Sequence, residues 1–136
     1  MNILKAYKFV LKLTKKQSKS LQKILDECRW LYNLFLEQRI SAHELEIKLT
    51  KYDQLIVIPA LKIERPSLDL VHSQVLQDVG VRLDKSFQNF FRRCKNGETP
   101  GFPRFKGCDR YNSFCFPQSG FELDGKELKI AKVGRV

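Results

Sequence analysis

The sequence predicts an α+β fold in which helices lie between a strand at the front of the chain and strands at its back. Three observations carry that reading. Residues 3–13 alternate apolar and polar side chains, and a long middle stretch repeats its apolar residues at three- and four-residue spacing. After Gly97 the chain turns to prolines, glycines and short aromatic runs. At 136 residues and 43% hydrophobic, there is room for one ordinary domain, or one domain interrupted by another.

The leading strand follows from Ile3, Tyr7, Phe9, Leu11 and Leu13, which alternate with Ala6, Lys8, Val10 and Lys12. Lys5 breaks the apolar face, so the strand is expected near an edge. Thr14 begins a T-x-x-Q capping box with Gln17 and opens a long amphipathic helix. Its apolar stripe runs through Ile24, Cys28, Leu31, Phe35 and Leu36, and the spacing carries it to about Leu49. Lys15, Lys16, Lys19 and Lys23 mark its outer face.

Thr50 is expected to cap a short helix from Lys51, which Pro59 kinks or restarts and Pro66 closes. Ser73 is expected to cap the next helix, whose stripe is Leu76, Val79, Leu83, Phe87, Phe90 and Cys94. Gly97 is its stop. Two prolines and a glycine exclude helix over residues 99–106. Residues 113–116 and 121–124 read as strands, and Asp124-Gly125 turns the chain into a partner strand over 127–131.

Charge separates along this order. Residues 1–40 carry nine basic and three acidic side chains, residues 41–80 four and six, residues 81–112 eight and three. Two basic blocks flank a slightly acidic middle, within a net charge of +10. Such a surplus points to nucleic acid as partner, because Lys and Arg gain affinity by releasing counterions from phosphates. No apolar run is long enough to span a membrane, and the start has no signal-peptide pattern. The expectation is a cytoplasmic, prokaryotic, nucleoid-associated protein with no membrane partner.

Metal and catalytic chemistry find little support. Cys28, Cys94, Cys108 and Cys115 form no C-x-x-C pair, and His43 and His72 lie far from them in sequence. All four cysteines read as structural, with Cys28 and Cys94 on apolar helix faces. The histidines read as surface or capping residues. No nucleophile–base motif or phosphate-binding glycine loop is present, so neither a metal nor a cofactor is expected. Binding has better candidates. Residues 101–106, Gly-Phe-Pro-Arg-Phe-Lys, set aromatic rings beside cations, as single-strand binders do, unless Phe102 and Phe105 are simply buried. Tyr52, Ser73 and Gln77 have side chains that could read base edges.

Taken together, these segments resemble the opening of the TnpB (OrfB) proteins of insertion-sequence transposons. The matching stretches are Lys5-Ala-Tyr-Lys-Phe9 with Thr14 and Gln17, Trp30-Leu-Tyr-Asn33 with Phe35-Leu36 and Arg39, and Leu76-Gln77. Leu83-Asp-Lys85, Asn89-Phe-Phe-Arg92, residues 101–106, Ser113-Phe114 and the closing Lys129-Ile-Ala-Lys-Val-Gly134 continue the match in order. The family is known as RNA-guided DNA endonucleases whose N-terminal part is labelled a helix-turn-helix domain. The resemblance implies a small, incomplete antiparallel β-barrel, the wedge, split by a helical recognition insert. On this chain the wedge would be residues 1–13 with 104–136, and the insert residues 14–103.

It also implies DNA and guide RNA as partners. Tyr52, Ser73 and Gln77 would stand at the junction that contacts the short motif beside the DNA target, with Ser113 contributing. Arg104, Lys106 and Arg110 would contact nucleic-acid backbone, and Lys5 and Lys8 complete the candidate set. Full-length members continue into a RuvC-like nuclease domain and a four-cysteine zinc element, whereas this sequence stops at Val136. No enzyme activity is therefore expected of it, and neither cleavage nor the zinc carries over. Two other readings are a fragment that docks on a full-length relative or on a separately encoded C-terminal nuclease portion, and a decayed transposon product.

Overall fold

The computed structural model describes residues 2–136. Its order is α1 (Lys15–Glu44), α2 (Lys51–Leu55), α3 (Ile58–Glu64), a 3-10 turn (Pro66–Leu70) and α4 (Ser73–Lys95), then β1 (Phe121–Asp124), β2 (Glu127–Ile130) and β3 (Gly134–Arg135). The class is α+β, with helices followed by a small open antiparallel sheet.

Helix α1 starts where its capping box says it should. The Thr14 hydroxyl accepts the Gln17 N–H at 3.2 Å, and the Gln17 carboxamide oxygen accepts the Thr14 N–H at 3.0 Å. It ends at Glu44, short of the expected Leu49. Glu46 takes a left-handed φ of 56°, its N–H reaches the His43 carbonyl, and the Ile47 N–H reaches Ala42 at 2.8 Å. That pair of bonds is a Schellman stop built on a glutamate instead of a glycine. Leu45, Ile47 and Leu49 prolong the apolar spacing past it, which is why the sequence reads on as helix.

Thr50 caps α2, as expected, and Asp53 returns the bond to complete a capping box. Pro59 lies in the first turn of α3, where its missing donor costs nothing. The cap of α4 is His72 and not Ser73: the imidazole Nδ1 accepts the Gln74 N–H at 3.2 Å. Ser73 is already the first residue of the helix, one position past the cap, and its hydroxyl accepts from the Lys62 ammonium at 2.9 Å. Gly97 ends α4 at φ 71°, in a second Schellman stop made by Glu98 N–H to Arg93 and Gly97 N–H to Cys94.

The core lies between α1 and α4. Leu31, Phe35 and Leu36 are fully buried against Leu76, Val79 and Leu83, with Leu68 and Val71 closing one end. Burying each such side chain is worth about 1.5–3 kcal/mol. Helix α2 crosses α4 at Gly80, where an added Cβ would meet Leu55 Cδ2 at 2.8 Å. A polar lock joins the three helices. Arg39 donates from Nε to Gln54 at 2.9 Å and from Nη2 to Asp84 at 2.9 Å, and buried Gln54 donates to the Phe35 carbonyl at 2.8 Å.

The sheet has the order β1-β2-β3, both pairs antiparallel, with Phe121 opposite Ile130 and Ile130 opposite Gly134. Gly125 opens the β1–β2 turn at φ 59°, as the Asp-Gly signal predicts. Two expected strands do not form. Residues 113–116 are irregular, because Arg82 takes the Ser113 carbonyl at 2.7 Å and no described strand pairs with them. Residues 3–13 are irregular and exposed throughout. Alternation states which side chains seek burial, but it supplies no neighbouring strand, and β1 to β3 pair only with one another. Met1, the first residue of the expected wedge, lies outside the described residues.

Candidate nucleic-acid interface

The middle of α1 carries two different attachments on neighbouring faces. At 100° per residue, and with Arg29 as origin, Asn33 lies at about 40°, Asp26 at about 60°, Glu37 at about 80°, Trp30 at about 100° and Glu27 at about 160°. The loop of residues 101–106 is fixed at the Arg29–Asn33 edge. The Asn33 carboxamide donates to the Lys106 carbonyl at 2.9 Å and accepts the Lys106 N–H at 2.8 Å. Arg29 adds a long contact to that carbonyl, 3.5 Å from Nη1. On the other edge, Arg65 chelates Glu27 through Nε at 2.8 Å and Nη2 at 3.2 Å, and its guanidinium stacks 4.4 Å from the Trp30 ring.

Between the two attachments runs a cleft of about 440 Å³, with Asp26, Glu37 and Leu34 on its floor and Phe105 on its loop side. The first basic block thus meets the second along α1, as Arg29 beside Lys106. The Lys106 ammonium stands 5.6 Å from the Tyr32 ring, so it projects over the helix from a backbone already pinned.

The two phenylalanines of the loop have different roles. Phe102 packs edge-on against Phe87 and Phe90 of α4, with centroids 5.6 Å and 5.2 Å away, yet remains 48% exposed. Phe105 is 54% exposed. Neither is simply buried, and Pro103 between them is. Exposed Phe91 extends this aromatic surface beside Arg92, Arg93 and Lys95.

A second attachment lies on α4. Arg82 donates to the Ser113 carbonyl and hydroxyl, and the Gln74 side chain accepts the N–H groups of Gln118 and Ser119 at 3.2 Å and 2.9 Å. Gln74 and Arg82 thus hold residues 113–119 along one row of the helix. The row beside it carries Ser73 and Gln77, and beyond that comes the α2 crossing at Gly80. Gln77 is exposed in the strip between α2 and the 113–119 segment.

The sequence-derived candidates fall into three sets. Ser73, Gln77 and Ser113 share α4, two on its exposed strip and one held through Arg82. Tyr52 is 70% exposed on α2 beneath the Lys51 ammonium, and it shares no hydrogen bond with the others among the described residues. Arg104, Lys106 and Arg110 sit on the loop that follows α4, with Arg104 and Arg110 exposed. Lys5 and Lys8 are exposed on the irregular front segment and, among the described residues, share no hydrogen bond with either set.

The cysteines correct the earlier reading. Only Cys28 is buried, and burial pushes its thiol up to about 12. Cys94, Cys108 and Cys115 are exposed, Cys94 because the apolar stripe of α4 has lost its cover by the final turn. Burial likewise raises the Tyr111 phenol, which lies under Arg82. Among the described residues no three His, Cys, Asp or Glu side chains converge as a metal site, and no helix is long and apolar enough to cross a membrane.

Sequence reasoning missed Arg29, Glu37 and Arg65, since a helix-surface cleft needs the loop and the 3-10 turn to close its sides, and it had Trp30 only within a motif. Asn33 was legible only as part of a motif. Comparison with known proteins agrees with that motif. Residues 1–48 match a family model of OrfB proteins described as a helix-turn-helix domain. The protein named "Putative RNA-guided DNA endonuclease InsQ" of Escherichia coli (strain K12) is 29% identical over 133 residues, 96% of this chain. Over these stretches the chain is similar to OrfB proteins and to that endonuclease. The chain spans 32% of the length of that relative. The OrfB match ends within the turn after α1, so of the helices it contains α1 alone, and α2 begins beyond it at Lys51.

Proposed function

We propose that these residues are the nucleic-acid-binding N-terminal portion of a TnpB-type RNA-guided DNA endonuclease, with cleavage assigned to none of them. The observation that carries the reading is the clamp of residues 101–106 on α1, which joins the two basic blocks into one surface edged with exposed aromatic rings. In this reading Arg104, Lys106 and Arg110 bind the backbone of guide RNA or heteroduplex. Tyr52, Ser73 and Gln77, with Ser113, read the motif beside the DNA target, and Lys5 and Lys8 add charge from the front segment. Residues 14–103 act as the recognition insert, and residues 1–13 with 104–136 as part of the wedge. The protein works in the prokaryotic cytoplasm, near the nucleoid.

The test is to purify the chain from a bacterium at moderate salt and sequence the nucleic acid that accompanies it. The expected result is one enriched structured RNA, released stepwise as salt rises. Lys106→Ala should lower the slope of log affinity against log salt by roughly 0.7–0.9 for its lost phosphate contact. Gln77→Ala should change the sequence preference and leave that slope alone. A protein free of nucleic acid at low salt overturns the reading.

One observation favours a second reading. Ile3, Tyr7, Phe9 and Val10 are at least 72% exposed, and Phe121 and Leu123 of the sheet edge are exposed as well. Such apolar surface suits docking onto a full-length relative or a separate C-terminal nuclease portion. That complex would survive nuclease treatment and high salt.

A further inference from the structure

We propose that the cleft along α1 takes one guanine nucleotide of a single-stranded nucleic acid, with Glu37 on the base edge and Arg29 on the phosphate. The inference rests on the nucleic-acid-binding reading and names a ligand for a surface that reading leaves without one.

The walls come first. Arg65 is held in place twice, by Glu27 and by the Trp30 ring, so one side of the cleft is rigid before any ligand arrives. The other side is Phe105, carried by a loop that Asn33 fixes through both polar groups of the next residue. An aromatic ring and a guanidinium plane are the surfaces on which unstacked bases lie. At about 440 Å³ the cleft falls within the range of small-ligand pockets.

Polar groups then select the ligand. Arg29 lines the cleft, and among the described residues its guanidinium makes one long contact, 3.5 Å from Nη1 to the Lys106 carbonyl. A cationic side chain on the cleft wall favours an anion there, and a phosphate oxygen is the natural choice. Glu37 lies two turns further along α1, about 12 Å by helical rise, and forms no ion pair among the described residues. The nearer carboxylate, Asp26, is already engaged by the Gln22 amide at 3.0 Å. A free carboxylate accepts two parallel N–H bonds, and guanine alone among the common bases offers an adjacent ring N–H and exocyclic amine. Adenine, cytosine and uracil each leave one carboxylate oxygen unmatched.

Trp30 is the chain's one tryptophan and lines this cleft, so its fluorescence lifetime reports occupancy directly. The experiment titrates the full chain with GMP, AMP, UMP and inorganic phosphate while following that lifetime. In parallel it measures salt-dependent binding of a labelled RNA of mixed sequence. The expected result is a saturable change with GMP at concentrations at least about tenfold below those for AMP or UMP, with phosphate alone weaker still. Glu37→Gln should erase the GMP preference while far-UV circular dichroism stays unchanged. Phe105→Ala should weaken all three nucleotides together. Equal responses to the nucleotides, no response, or a GMP preference that survives Glu37→Gln would overturn the pocket. If RNA still binds in those cases, the proposed function stands without it. If RNA does not bind at all, the function falls, and the nucleotide titration decides the pocket by itself.

Discussion

Helices α1 and α4 and the β1–β3 sheet differ sharply in how they bury apolar residues. Leu31, Phe35, Leu76 and Leu83 are at 0% exposure, whereas Phe121 and Leu123 in β1 stand at 53% and 69%. In the sheet Ile130 alone is buried. The helical region is held by a packed core and by a polar lock through Arg39, Gln54 and Asp84. The sheet is held by its own ladder, by ring contacts from Phe116, and by a hydrogen bond from Gln17 to the Arg135 carbonyl. The lesson is that stability resides in the helices, while residues 101–106 and 113–119 hang from them by side-chain-to-backbone bonds.

Breaking the stronger half should have the largest effect. Phe35→Ala removes a fully buried ring from the α1–α4 contact and should lower the unfolding free energy by about 3–5 kcal/mol, read from urea denaturation. A loss below about 1 kcal/mol would mean the core does not carry the molecule.

A middling effect comes from pH. The Cys28 thiol is pushed up to about 12 in the folded protein, against an ordinary value near 9.0. Between those values the unfolded chain releases the proton while the folded chain keeps it. Stability from this group is therefore complete below about pH 9 and falls as pH rises toward 12, by up to roughly 1.4 kcal/mol per pH unit. Buried Tyr111, also raised, steepens the loss at the alkaline end. Urea midpoints at several pH values from neutral upward should show a smaller decline for Cys28→Ala than for the wild type. Parallel declines would show that Cys28 titrates alike in both states.

The smallest effect should come from the sheet. Arg135 pairs with Asp124 at 3.1 Å and Glu127 at 3.2 Å, all three exposed. Arg135→Gln should leave the melting temperature unchanged within error, since water and salt screen such pairs. A clear drop would mean that the sheet and the helices unfold together.

Local signals were the most legible. The Thr14 and Thr50 boxes, Pro59, Gly97 and Asp124-Gly125 each act through bonds a few residues away, and each does what its sequence context predicts. What failed depended on partners remote in sequence. Residues 3–13 alternate correctly but find no neighbouring strand. Ser73 does not cap because α4 begins at it and the His72 imidazole holds the cap position. The α1 stop at Glu46 was invisible because a glutamate holds the left-handed conformation that glycine usually marks. As for the interface, its charged loop and aromatic rings were readable, but the cleft was not. It is assembled from α1, Arg65 and Phe105, which lie up to 79 positions apart (26 to 105).

Asn33 grips residue 106 by both its N–H and its C=O, and a shift of register by one residue would forfeit both bonds at once. The loop is therefore moored at a fixed point, and any change in its length must be taken up elsewhere. Residues 98–101 are exposed and lie between the Schellman stop of α4 and the packed ring of Phe102. Insertions there would bulge into solvent and leave the surface chemistry intact. A single deletion between Phe102 and Lys106 would slide the cationic and aromatic side chains out of step with α1.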